Sequence, residues 1–562
     1  MRKFFQQLLG YVESVAYLLA FWSLLVLFFE PVIGYYTNYA GVELYTALAN
    51  LAVLGLAILN RVLYGEVRGT QKMIIFDIIL LALGILLVFY NAKFVIFFLL
   101  IRQTYFILQF LLFRFSEGKL YHWLSNDPPI TLIMSFAIAI FIGTILLMMP
   151  VSSAQNRVTP LVNALFTATS ATCVTGLIVV DTGSYWSMFG QMVILILIQL
   201  GGLGIMTVST VFALLLGRNI NLKLKHVMTH MVGGSRAINI IALLKNIVLV
   251  TAVIEAIGAV LLFFKFSQVF PTQKAIYFSI FHSISSFCNA GFSTFSDNLM
   301  GFGSSIIVSL VVPLLIFIGG IGFTVIIDLG RFFFAGGKVK KLSLHSKIVL
   351  SASGILILAG FIAFFILEYN GTMAGFNPIR RFMAAMFQSV TTRTAGFNTI
   401  DTAALGRTSL LVAMFLMFIG ASPGSTGGGV KTTTFSVLVL TIISMIKGKR
   451  DISAFKRRLP FVNFREATVL TILSATIIFI VVSLLLLVEP HAFEDIMFET
   501  LSAFGTVGLS TGITGQLTNT GRVLITILMY IGRIGPMTLI YAFAVKRKHT
   551  NINYAEETIA IS

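Results

Sequence analysis

The 562-residue sequence predicts an all-α polytopic membrane protein: four fused helix–pore-loop–helix repeats around one pore, preceded by about four extra transmembrane helices. Three observations predict it. The chain is 57% hydrophobic and 11% charged, with a mean hydropathy of +0.96, which excludes a single soluble core. Apolar stretches of the ~20 residues that cross a bilayer recur from Tyr11 almost to the C-terminus, roughly twelve in all. Finally, glycine-bearing turns return at a nearly constant interval in the last four-fifths of the chain.

The formal net charge of +18 would fit a nucleic-acid partner if it formed a stripe on a soluble domain. Here the basic residues gather in short loops between apolar helices, so nucleic acid is not expected and lipid is. Positive charge marks the cytoplasmic side. The clusters are Arg61 to Lys72, Arg114 to Lys119, Arg218 with Lys223, Lys225 and Arg236, Arg331 to Lys347, Lys447 to Arg465, and Lys546 to Lys548. Threading helices between them leaves both termini cytoplasmic and places the chain in the cytoplasmic (inner) membrane. The segment Tyr11 to Phe29 lacks a small-residue cleavage site and reads as a retained helix. Only two cysteines exist, Cys173 and Cys288, so neither a disulfide framework nor a zinc site is expected.

The helices 12–30, 43–60, 72–91 and 94–114 form an N-terminal extension over residues 1–116. Packing against the pore's flank is favoured over a sensing role, because these helices carry few intramembrane polar residues. Residues 117–235, 236–345, 346–462 and 463–562 are the four pore repeats, the last with a cytoplasmic tail. Their turns read Thr172-Cys173-Val174-Thr175-Gly176-Leu177, Phe287-Cys288-Asn289-Ala290-Gly291-Phe292, Thr392-Arg393-Thr394-Ala395-Gly396-Phe397 and Gly505-Thr506-Val507-Gly508-Leu509. The central glycines stand 115, 105 and 112 residues apart. A second motif follows each turn by 24 to 28 residues, at Gly201-Gly202-Leu203-Gly204, Gly319-Gly320-Ile321-Gly322, Gly420-Ala421-Ser422 and Gly532-Arg533-Ile534-Gly535.

Each repeat therefore reads as helix, short half-helix, glycine turn and helix, as in 130–149, 161–172, 173–177 and 187–216. A half-helix of about 12 residues cannot span and must re-enter. Irregular backbone at membrane depth is tolerated only where protein buries it or it lines a cavity, and four turns on one axis can form that cavity jointly. The turns bring no charged ligand. Selection must then come from backbone carbonyls that replace the water shell of a cation. The filter candidates are Val174, Thr175, Gly176, Asn289, Ala290, Gly291, Thr394, Ala395, Gly396, Thr506, Val507 and Gly508. Glycine allows the positive φ that turns successive carbonyls to one axis, and the half-helix C-termini favour a cation there. A lone membrane glycine is ordinarily a packing contact; four copies in register are not.

The third repeat departs from its siblings over Ala421, Ser422, Pro423, Gly424, Ser425, Thr426, Gly427, Gly428, Gly429, Val430 and Lys431. Proline among so many glycines cannot continue a helix in lipid, so a loop that obstructs the pore below the filter is expected. A phosphate-binding loop is the competing reading, but Val430 spoils its spacing and a membrane helix stands where a strand is required. Arg533 replaces the second glycine of the motif. It is expected to hold this loop through carbonyls and raise a barrier to cations, or else to be a packing arginine satisfied by neighbouring carbonyls. Arg393 and Glu499 are expected to pair and brace the filter, or to be two solvated vestibule charges. Lys431 contributes to the barrier or reaches the cytoplasm, and Glu255 receives no role.

These turns make residues 120 to 548 resemble the Trk/Ktr/HKT superfamily of potassium transporters, whose subunits are similar to four fused potassium-channel units. The closest matches to the bacterial members are Ala503 to Ser510 and Thr392 to Asn398. The resemblance implies a homodimer with one pore per subunit and a cytosolic nucleotide-binding regulatory ring. It also implies filter glycines at Gly176, Gly291, Gly396 and Gly508, with potassium at the filter carbonyls, no other cofactor in this chain, and a gating loop at 421–431. Glycine at all four positions goes with potassium over sodium in the related proteins. Channel-like passage and symport coupled to sodium or protons both stay open. An unrelated secondary transporter would show two inverted halves rather than four parallel repeats. An intramembrane enzyme would need clustered catalytic groups, and the seven histidines are dispersed.

Overall fold

The computed structural model describes residues 39–64, 71–88, 95, 128–203, 240–334, 341–449 and 451–543. The expected helices 12–30 and 94–114 (apart from residue 95), the 204–216 end of the first inner helix, and the basic clusters at 114–119, 218–236 and 546–548 lie outside them. What is described is helical apart from short connections and a two-residue hairpin of β1 (Ser453–Ala454) and β2 (Arg457–Arg458).

Helices α1 (Tyr39–Tyr64) and α2 (Gln71–Val88) form an antiparallel pair. Ala47, Leu51 and Leu54 of α1 share a buried cluster with Met149, just past α3 (Pro128–Met148). This described part of the N-terminal region thus packs beside the end of α3. Repeat 1 continues with the half-helix α4 (Leu161–Thr172) and the inner helix α5 (Met188–Gly202). Repeat 2 has α6 (Ile240–Phe266), half-helix α7 (Thr272–Phe287) and an inner helix in two pieces, α8 (Ile306–Ile321) and α9 (Phe323–Phe334). Repeat 3 has α10 (Leu344–Leu367), half-helix α11 (Pro378–Thr391), α12 (Arg407–Phe418) and α13 (Thr432–Ile446). Repeat 4 has α14 (Phe461–Val488), half-helix α15 (Phe493–Gly505), α16 (Asn519–Ile534) and α17 (Pro536–Phe543).

Local chemistry sets these boundaries. Half-helices α4 and α7 start directly after Pro160 and Pro271, and α11 starts on Pro378 behind an Asn377 cap. Inner helices α5, α8 and α16 are capped by Ser187, Ser305 and Thr518, each accepting from an N–H in the first turn. The third inner helix is interrupted between α12 and α13. Repeats 2 and 4 break as well, at Gly322 (φ 94°) and Gly535 (φ 88°), and α8 and α9 meet at 100°. A Cβ at Gly322 would also come closer than 3.0 Å to the Pro423 carbonyl, so loop and break are fitted to each other.

Inner and half-helices interlock in a cycle: α5 packs on α7, α8 on α11, α12 on α15, and α16 back on α4. The four repeats therefore close on one axis. Large aromatics, among them Phe166, Phe281, Phe387 and Phe498 of the half-helices, are fully buried around it. Apolar side chains also point outward, including Ile355 (66% exposed), Phe479 (72%) and Leu487 (83%). Exposed apolar faces of this extent need lipid. Against roughly twelve expected spans, three described helices suffice by length and apolarity (Asn246–Phe266, Leu344–Leu367, Phe461–Val488), and the α8–α9 pair makes a fourth. The third inner helix falls in two shorter pieces because the loop interrupts it.

Candidate ion pathway

The four turns use one backbone conformation. Gly176, Gly291, Gly396 and Gly508 have φ of 92°, 69°, 74° and 93°. Two residues earlier, Val174, Asn289, Thr394 and Thr506 also have positive φ, at 57°, 62°, 68° and 50°. A side chain at such φ is strained, and its recurrence at one register position in four turns marks a backbone held for function. Left-handed residues spaced by two turn successive carbonyls toward the same side, as a dehydrating filter needs.

The glycines also close the ring. A Cβ on Gly176 would come within 3.0 Å of the Ala290 carbonyl, on Gly291 of the Ala395 carbonyl, on Gly396 of the Val507 carbonyl, and on Gly508 of the Thr175 carbonyl. Each turn thus leans on a carbonyl of the next, and the fourth leans on the first. Behind the ring, the second-motif glycines admit equally close backbone: Gly201, Gly319 and Gly532 face the carbonyls of Thr172, Phe287 and Phe504 at the half-helix ends. Gly420 differs and faces Gly428 of its own loop.

Pore-helix hydroxyls brace the turns, and sequence reading missed them. Ser170 Oγ donates to the Leu177 carbonyl (2.7 Å) and accepts from Gly176 N (3.1 Å). Ser285 Oγ donates to the Phe292 carbonyl, Thr391 Oγ1 to the Phe397 carbonyl, and Ser502 Oγ accepts from Gly508 N. The signal was present as a hydroxyl five or six residues before the central glycine of each turn. Asn289, in the amide orientation that satisfies it, donates to the Ile316 and Ser286 carbonyls and accepts from Thr394 Oγ1 at 3.2 Å, tying turn 2 to turn 3.

The loop between α12 and α13 touches three other parts of the ring. Its neck is closed by Gly420 N donating to the Val430 carbonyl (2.8 Å). Ser422 N and Thr426 N donate to the Gly320 and Gly319 carbonyls of repeat 2, and the Gly424 carbonyl accepts from Phe323 N. Gly428 N donates to Thr506 Oγ1 in turn 4 (2.9 Å), and a Cβ on Gly427 would meet Thr394 Oγ1 of turn 3 closer than 3.0 Å. The loop therefore presses directly on turns 3 and 4, and at Gly427 only glycine fits. Ala421, Ser422 and Thr426 are buried, and Pro423, Ser425 and Gly429 complete the turn.

Arg533 is 3% exposed. Its Nη1 donates to the Thr426 carbonyl of the loop and its Nη2 to the Gly201 carbonyl of repeat 1. Lys431 Nζ donates to the Gly427 carbonyl (2.7 Å), so the side chain turns back onto the loop. Arg393 and Glu499 are not brought together. Arg393 reaches toward the loop neck, donating to the Ser353 (3.3 Å) and Gly420 (3.5 Å) carbonyls, whereas Glu499 accepts from the Thr514 hydroxyl in the mouth beyond turn 4. Each has polar partners on its own side of the turns. Glu255, unassigned from sequence, accepts from Gln199 Nε2 at 3.2 Å.

Comparison with known proteins decides the family. The TrkH family profile, described as a cation transport protein, matches residues 93–554. The chain belongs to this family. It is thus an ion transporter and not an enzyme. It is 39% identical over 445 residues to Ktr system potassium uptake protein B of Bacillus subtilis, covering 78% of this chain and 98% of the relative. The namesake from Vibrio alginolyticus is 38% identical, covering 80% and 97%. Potassium/sodium uptake protein NtpJ of Enterococcus hirae is 40% identical, covering 77% and 97%. The fold is similar to the crystal structure of the potassium transporter TrkH from Vibrio parahaemolyticus, with TM-score 0.61 and 18% identity over 96% of this transporter and 99% of that chain.

Proposed function

We propose that this transporter carries potassium into the cell through the ring of four turns. The observation that carries the reading is the closed ring itself, in which four positive-φ glycines each back onto a carbonyl of the next turn. In this reading the carbonyls of residues 174–176, 289–291, 394–396 and 506–508 replace water around a dehydrated cation. Potassium as the ion is supported by relatives named for potassium uptake at 38% to 39% identity. The loop at 421–431 is the gate, and Arg533 with Lys431 holds it below the filter and repels cations while it is closed. Arg393 anchors the loop neck, and Glu499 fixes the mouth of turn 4.

The same reading divides the chain into a flank-packing extension (1–116) and four repeats (117–235, 236–345, 346–462 and 463–562). It places the protein in the cytoplasmic membrane with both termini inside, as a homodimer above a cytosolic ring of nucleotide-binding subunits. The purified protein in proteoliposomes, with and without such subunits, tests it through rubidium and potassium uptake. Saturable uptake that sodium inhibits poorly is expected. No uptake under either condition would reject potassium transport, and equal sodium uptake, or uptake requiring sodium or protons, would replace it with the sodium-selective or coupled reading.

A further inference from the structure

Glu255 lies in the middle of α6, 8% exposed, where a carboxylate is costly and needs a purpose. Its surroundings are specific. Gln199 Nε2 donates to Oε2 at 3.2 Å, and the Cys288 thiol, at the end of half-helix α7, lies 3.8 Å from Oε1 and 3.6 Å from Gln199 Oε1. The main-chain carbonyl of Glu255 accepts from Ser283 Oγ of α7 at 2.6 Å. A Cβ on Gly202 would come closer than 3.0 Å to Cys288 Sγ. Glu255 therefore grips the last turn of α5, from Gln199 to Gly202, on one side. Arg533 docks on the Gly201 carbonyl of that same turn.

Arg533 is buried without a carboxylate in contact: the ion pairs among the described residues are Arg407–Glu494 and Arg458–Asp451, both exposed. The other buried glutamates are engaged elsewhere, Glu368 with Thr372 and Gly406, Glu489 with Thr518, and Glu499 with Thr514. A buried cation needs compensation beyond carbonyl dipoles, and charges act far in a medium that screens them poorly.

We propose that Glu255 is the buried counter-charge of Arg533 and a positioning residue for the gate: through Gln199 and Cys288 it fixes the end of α5 on which Arg533 docks. This rests on the gate reading above. Losing the negative charge frees Arg533 to leave the Gly201 and Thr426 carbonyls, and the loop with it.

The test is basal rubidium flux in proteoliposomes for Glu255→Gln, which keeps shape and hydrogen-bond acceptance, alone and combined with Arg533→Ala. Glu255→Gln is expected to raise flux about fivefold or more, the lower range of coupling between sites, without changing the potassium-to-sodium ratio. It adds nothing once Arg533 is gone. Glu255→Asp, which restores the charge, brings flux back toward the parental level. Parental flux in Glu255→Gln beside raised flux in Arg533→Ala overturns the proposal, as does an equal rise in the Arg533→Ala background. Parental flux in Arg533→Ala alone contradicts the gate reading instead. If Glu255→Gln does not fold into membranes, Gln199→Leu, which keeps the charge and cuts the tether, is expected to raise flux, and parental flux in it overturns the proposal.

Discussion

Replacing the central glycine of one turn by alanine is the perturbation whose consequence follows most directly from geometry. Gly508 has φ of 93°, and a Cβ there would stand closer than 3.0 Å to the Thr175 carbonyl, where ordinary contact begins at 3.4 Å. The left-handed conformation alone costs an alanine roughly 1–2 kcal/mol. The carbonyl must also retreat by about an ångström, because backbone cannot fold aside as a flexible side chain would. If that retreat removes on the order of 1.4 kcal/mol of coordination from a potassium ion, preference falls tenfold. Rubidium uptake under sodium competition measures it, in proteoliposomes with matched protein. Gly176→Ala, Gly291→Ala and Gly396→Ala are expected to behave alike, since each Cβ meets a carbonyl of the next turn. Gly354→Ala in α10 has nothing within 4 Å and should leave selectivity intact while stabilising the helix by up to about 1 kcal/mol. A Gly508→Ala protein with parental uptake and selectivity would refute the reasoning.

Arg533→Ala removes two hydrogen bonds from a charged donor, each worth roughly 1.5–3 kcal/mol, so basal flux should rise by tenfold or more until the pore is fully open; unchanged flux in folded protein would count against the gate. Ser502→Ala removes the hydroxyl that receives Gly508 N, and about 1 kcal/mol, or roughly fivefold, should be lost from half-saturation for potassium, read from uptake against concentration. Glu368, beyond the end of α10, offers a pH test. Burial raises its pKa, but hydrogen bonds from Ser409, Thr372 and Gly406 outweigh this and hold it below the ordinary 4.5. A depressed carboxylate contributes stability above pH 4.5 that is lost as pH falls through the folded value, so the melting-temperature gap between parent and Glu368→Gln should shrink below pH 4.5.

The features legible in the sequence were those that local physics forces. The half-helices were fixed by lengths too short to span, the four turns by glycines whose φ other residues resist, and the loop by Pro423 among glycines. Partners assigned by charge alone were not legible. Arg393 and Glu499 seemed fit to pair because isolated charges at that depth are unfavourable, yet each finds polar groups in its own direction, which only tertiary packing reveals. The breaks at Gly322 and Gly535 were hidden because a small-residue motif in a membrane helix reads equally as close packing. Ser170, Ser285, Thr391 and Ser502 escaped notice because hydroxyls are common in the half-helices, and only their common distance from the glycine distinguishes them.

The central claim, a cation dehydrated by four equivalent turns, is tested most directly by locating the ion. A structure of the protein in lipid nanodiscs with rubidium or thallium should show density on the axis, ringed by the carbonyls of Thr175, Ala290, Ala395 and Val507, and lost when sodium replaces the heavier ion. Density absent from that ring, with the ion held instead at a side-chain site off the axis, would contradict it.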